Sequence, residues 1–357
     1  MNLKNKIKYY LNFKVVQKEV VFTMKLKKQF QDFHDYIKSP LTDQLKEKRA
    51  MFEDEIKNNF SSVCDEKGIE IKKSDLNFFM QGSYSISTAI DAYDSSVDLD
   101  LAVAFEFNVE DNSDCREIKG YMRDSMDNYN RTIDYKIPCI TVTYFEDGEE
   151  SYHIDFPIYA IHNNQYYLAK GKEYSSDYKW ELSDPKGLKK YLESYLANNS
   201  QLRRVVRYLK CWKLNAFDRN NRNEVPPSIA LTLLACKYFE EEKEDNQDYD
   251  LEALYNVVKK IKDSIDSYSD DPYYYVNLPV VPYTDTMFKI NSNSSYRKKF
   301  KSKIYDFELQ LRNAKNAGDE HTAGEYVRKV LGEEFEVPEK QVVDAGENKF
   351  RRTSQFG

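Results

Sequence analysis

The apolar positions of the chain follow different periods on either side of residue 185. Leu45, Phe52, Ile56 and Phe60 recur at helical spacing and predict a helix from Thr42 to about Val63. Just upstream, KLKKQFQDFHDYIKS after Met24 leads into a helix of its own, whereas residues 1–23 show no clean period and read as a disordered or non-native extension. Strand patterns come next: LNFFM at 76–80, VDLDLAVAF at 97–105, the alternating run from Ile133 to Tyr144, and YHIDFPIYA at 152–160. A helical segment around 116–130 separates the second from the third. Beyond Pro185, which suits a first helical turn, helices are predicted at about 186–196, 200–214, 227–241 and 251–267. After a Pro-rich connection at 271–285, two more are predicted at about 296–315 and 319–332. The pattern is α+β: a mixed sheet with helices over residues 24–184, a helical unit over 185–336, and a cleft between them. Residues 337–357 carry few large apolar side chains and are expected to form a flexible tail.

Composition removes several function classes. There is no run of about 18 apolar residues, so no transmembrane helix and no membrane partner is predicted. The apolar stretch after the basic start is broken by Lys14, Lys18 and Glu19, which argues against a secretory signal, and the chain is expected in the cytoplasm. The five cysteines form no C-x-x-C pair and cluster with none of the four histidines, so neither a zinc site nor a disulfide framework is expected. Net charge is −7, which does not suit a protein that binds polyanions over its whole surface. Basic residues are nevertheless concentrated: Arg203, Arg204, Arg207, Lys210 and Lys213 lie within eleven positions and can meet phosphates.

The chemistry is concentrated in QGSYSISTAIDAYDSSVDLDLAV, residues 81–103. Asp98 and Asp100 are two apart in a strand, so both carboxylates point to one face. Two such carboxylates repel unless a cation sits between them, and Mg²⁺ takes oxygen ligands that it shares with substrate phosphates. The Gly82-Ser83 turn follows a strand and opens a short helical segment, where a glycine permits close ligand approach and free N–H groups attract phosphate. Asp155 is an acid embedded in an apolar strand, where burial demands a partner or a metal.

Together these residues resemble the polymerase-β-like nucleotidyltransferase superfamily: a Gly-Ser turn, about a dozen residues, D-x-D, then a third acid on a neighbouring strand. The resemblance implies that Asp98, Asp100 and Asp155 are catalytic and hold two Mg²⁺ ions, with Mn²⁺ able to substitute. It also implies that Gln81, Gly82 and Ser83 hold the triphosphate. LRRVVRYLKCWK (202–213) followed by PPSIALTLLACKYF (226–239) is similar to the helical core of oligoadenylate synthetases and of the bacterial cGAS/DncV-like enzymes. On that resemblance Lys210 and Ser228 contact the donor triphosphate, and Asp285 is a candidate nucleotide contact. The segment 314–335 resembles the same family, with Leu331-Gly332 departing from its Phe-Gly-x-x-Phe-like ending.

The implied function is a cyclic oligonucleotide synthase, joining nucleoside triphosphates into a cyclic di- or trinucleotide signal in the anti-phage systems called CBASS. Some bacterial relatives carry a tail that a ubiquitin-transferase-like partner conjugates, which makes Gly357 a candidate conjugation point. RNA or another phage-derived ligand stays open as an activator. Two other readings remain: a linear oligonucleotide synthase or other nucleotidyltransferase acting on RNA, and an inactive nucleic-acid-binding scaffold.

Overall fold

The computed structural model describes residues 26–91, 97–126, 131–146, 149–218, 220–266 and 268–340. The expected extension at 1–23 and Gly357 lie outside these residues.

Eight strands form one mixed sheet: β1 (Asn77–Met80), β2 (Val97–Glu106), β3 (Arg131–Tyr135), β4 (Ile140–Glu146), β5 (Glu149–Phe156), β6 (Ile158–His162), β7 (Gln165–Gly171) and β8 (Tyr178–Ser183). Their order is β3-β4-β5-β2-β6-β7-β8, with β1 paired to β2. Strand β2 is the centre: its first half runs parallel to β5 and its second half parallel to β6, with antiparallel β1 pairing Leu101 to Ala104. Helices α1 (Lys27–Ile37) and α2 (Asp43–Glu66) precede the sheet, and α3 (Gly82–Ser85) and α4 (Cys115–Ser125) are inserted in it. Thr42 caps α2 by accepting from Leu45 N at 3.2 Å, and the buried stripe places Phe52 against Phe156 and Phe60 against Phe105.

The alternating run that predicts one strand over Ile133–Tyr144 is two antiparallel strands, β3 and β4, pairing Arg131 with Tyr144 through Tyr135 with Ile140. Pro138, which cannot donate to a ladder, sits in the reversal between them. Strands β7 and β8 were not predicted. Their signal was the Asn163-Asn164 pair, both residues at positive φ (52° and 60°), a two-residue hairpin turn that Asn tolerates.

The helical half contains α5 (Pro185–Leu196), α6 (Ser200–Ala216), α7 (Ser228–Tyr238), α8 (Asp250–Asp263), α9 (Phe288–Asn291), α10 (Ser294–Asn316) and α11 (Glu320–Leu331). Asp184, Asn199 and Asp319 cap α5, α6 and α11. Helix α6 is buried on nearly every side, and Trp212 stacks on Phe307 of α10 at 4.9 Å. Helix α1, grouped by sequence with the sheet-bearing half, packs here instead: Phe30 and Phe33 meet Tyr208 and Phe335. Phe335 is wholly buried, and Gly332, at φ 100°, turns the chain after α11 to bring it in. The two apolar cores meet along a cleft.

Candidate functional site

The cleft encloses about 1400 Å³ and is lined by Gln81, Gly82, Ser83, Asp100, Asp155, Lys210, Ser228 and Asp285. Eight of the nine expected residues, drawn from six separated places in the chain, therefore line one space. The ninth, Asp98, pairs in register with His153, and its side chain lies outside the described residues.

The parallel pairing of β2 with β5 sets Asp100 directly opposite Asp155. Directly paired residues of neighbouring strands project to the same face, so two carboxylates from strands 55 positions apart stand side by side. Asp155 Oδ1 accepts from the Thr141 hydroxyl and lies 3.6 Å from Lys136 Nζ. Lys136 was missed by sequence reasoning, because only the fold of β3 back onto β4 brings it to Asp155. Its backbone is anchored by the buried Lys119, whose Nζ donates to the carbonyls of Lys136, Ile137 and Gly171 at 2.6, 3.0 and 2.8 Å. Burial pulls the Lys119 ammonium down to about 8.

Gly82 begins α3 at φ 61°. A Cβ built there would stand 1.8 Å from Asp100 Oδ2, so a side chain at this position would displace the carboxylate from where it stands. Gln81 N donates to Asp100 O at 2.9 Å, and its Nε2 donates to Tyr159 OH at 2.9 Å. The turn is thereby fixed to the strand that carries D-x-D.

Across the cleft the basic helix α6 gives its two lysines different partners. Lys210 is buried, and its Nζ donates to Thr88 O at 2.7 Å and Thr88 Oγ1 at 3.2 Å. Burial, then Lys213 and Arg207, bring it down to about 7. Lys213, one turn on and only half-buried, donates to Ser228 Oγ at 2.6 Å, and both line the cleft. Lys213 is thus the lysine that the fold pairs with Ser228. Asp285 reaches the cleft, but its carboxylate is committed to the loop: Oδ1 accepts from Val276 N and Met287 N, and Oδ2 from Asn291 Nδ2.

Lys136, Lys189, Lys210, Lys213, Arg222 and Lys289 all line the cleft, six cations in a chain whose net charge is −7. Asp100, Asp134, Asp155, Asp184 and Asp285 line the same cleft, so basic and acidic side chains face one another there. All five cysteines are buried and unpaired, so no nucleophilic thiol is offered. Among the described residues no helix is long and apolar enough to cross a membrane.

A mixed sheet that presents D-x-D beside a Gly-Ser turn, faced by helices across a cleft, has the polymerase-β-like nucleotidyltransferase class of fold. Within that fold, residues 76–159 match the family described as cyclic GMP-AMP synthase DncV-like, nucleotidyltransferase domain. A cyclic GMP-AMP synthase of Escherichia albertii is 27% identical over 192 residues, which are 50% of this chain and 41% of that protein. The chain thus matches less than half the length of that relative. The fold is shared with the DncV cyclic AMP-GMP synthase of Vibrio cholerae (TM-score 0.58, 17% identity, 94% of this chain and 92% of that one). It is also shared with the CD-NTase CdnG of Bradyrhizobium diazoefficiens, solved with GTP (TM-score 0.67, 13% identity, 86% and 95%).

Proposed function

We propose that the chain is a cyclic oligonucleotide synthase, which consumes nucleoside triphosphates to make a cyclic di- or trinucleotide signal in anti-phage defence of the CBASS type. The observation that carries the reading is the register pairing of Asp100 with Asp155 beside Gly82. The match of residues 76–159 to the DncV-like nucleotidyltransferase domain and the names of the similar proteins support the product class.

The donor set suits a hard divalent ion: carboxylate oxygens side by side, with a glycine where a side chain would block the approach. Asp98, Asp100 and Asp155 would hold two Mg²⁺ or Mn²⁺ ions, which supply charge neutralisation at the α-phosphate and polarise the attacking sugar hydroxyl as pyrophosphate leaves. Thr141 and Lys136 orient the Asp155 carboxylate. Gly82 and Ser83 offer backbone to the triphosphate on one wall, and Lys213 with Ser228 offers a charge-assisted grip on the other. The cleft exceeds the roughly 300–1000 Å³ usual for one small ligand, which supports two nucleotides bound together, as ring closure requires.

The test is incubation of the pure protein with labelled NTP mixtures and Mg²⁺ or Mn²⁺, then phosphatase. A phosphatase-resistant small product is expected. Only phosphatase-sensitive chains would point to a linear synthase, and no NTP consumption would leave the scaffold reading.

A further inference from the structure

Arg207 and Lys210 stand one turn apart on α6, 9% and 5% exposed. Arg207 Nη2 donates to Ser87 O at 2.6 Å and its Nε to Ala89 O at 3.2 Å. Lys210 Nζ takes the carbonyl between them, Thr88 O, at 2.7 Å. Two cations from the helical half therefore grip three successive carbonyls of the sheet-bearing half. Ser87 is held in the left-handed region at φ 55°, a strained position for a residue with a side chain, which persists only where surroundings over-determine it. The same turn is tied back to the phosphate loop: Thr88 N donates to Ser83 O at 2.9 Å and Ser87 N to Tyr84 O at 3.3 Å.

Among the described residues neither cation forms an ion pair with a carboxylate. The charged and titratable groups around them are Arg203, Arg204, Lys213, Tyr208 and Cys211 of α6, His34 of α1 and Asp100 of β2. Burying a charged donor without a directly paired carboxylate is expensive, and neutral donors would satisfy carbonyls at less cost. What the Arg207 guanidinium adds is a positive charge on the turn whose Thr88 N is bonded to Ser83 O.

We propose that Arg207 and Lys210 are positioning residues, a two-cation clamp through which the helical half fixes the 83–89 turn and readies the phosphate loop for a polyanion. The polyanion rests on the nucleoside-triphosphate reading above; the clamp does not.

Hydrogen–deuterium exchange over residues 82–89 reads the clamp directly in the nucleotide-free protein. Lys210→Met should speed exchange there about tenfold or more without a lower melting temperature, and Arg207→Lys should do so in part. Lys210→Arg, which keeps charge and donors, should restore protection. In steady-state kinetics Lys210→Met should raise KM for the triphosphate about tenfold more than Lys210→Arg does. Unchanged exchange in both Lys210→Met and Arg207→Lys overturns the clamp. Faster exchange with unchanged KM in an enzyme that consumes NTPs overturns its role in binding. If the wild type consumes no NTP, the substrate reading falls while exchange still decides the clamp.

Discussion

Replacing Gly82 by alanine separates stability from catalysis at the phosphate turn. The new residue keeps φ 61°, which costs an L side chain about 1–2 kcal/mol. Its Cβ would lie 1.8 Å from Asp100 Oδ2, so that oxygen has to recede by roughly 1.6 Å to reach ordinary contact. Rotation of one short side chain is energetically cheap, and the melting temperature should fall by only a few degrees, about 2–4 °C per kcal/mol in a domain of this size. Catalysis is less forgiving, because a misplacement of about 1 Å in a reacting site can cost about 100-fold. Gly68→Ala is the control: Gly68 has φ 76° with no atom within 4 Å of a built Cβ, so it carries the same backbone strain and no collision. Pyrophosphate release should drop at least about 100-fold in Gly82→Ala and stay near wild type in Gly68→Ala, with similar losses in differential scanning fluorimetry. Equal turnover in the two variants would refute the placement of Asp100 against the turn.

Asp98→Asn with Asp100→Asn should abolish product while the fold survives, since Asn preserves volume and removes the charge that holds a divalent ion; near-normal turnover would remove D-x-D from the site. Lys213→Ala should raise apparent KM for the donor triphosphate by the worth of a charge-assisted contact, about 1.5–3 kcal/mol or roughly 10- to 150-fold, with Ser228→Ala a weaker copy; unchanged kinetics would make the pair structural only. His34 is held down to about 4 by burial, then by Arg207 and Arg204, below its ordinary 6.5. The unfolded chain therefore takes up this proton first, and stability is lost as pH falls from about 6.5 to about 4. His34→Gln should flatten that part of the melting-temperature profile, and an identical acid slope would show that His34 does not carry it.

The D-x-D spacing on a strand, the Gly-Ser turn before it and the helices of the second half were legible in the sequence, because each rests on a local period or a local steric rule. Asp155 was legible as an anomaly, an acid in an apolar strand, but its place opposite Asp100 depends on β5 pairing parallel to β2 in one register. The amphipathic stripe of α1 says that Phe30 and Phe33 are buried, not against which core; the structure sends them to the helical half. Asp285, expected as a nucleotide contact, lines the cleft, and its carboxylate closes its own loop. The same limit governs Lys210 and Lys213. Three positions apart, they lie one turn from each other on a single helix and carry the same charge. Local pattern cannot choose between them. The choice was made by a turn more than a hundred residues earlier, whose Thr88 carbonyl takes Lys210 and leaves Lys213 to Ser228. Periodicity fixes which face of an element is buried; which polar group a buried charge meets is set by packing between distant segments, and only the tertiary structure holds that information.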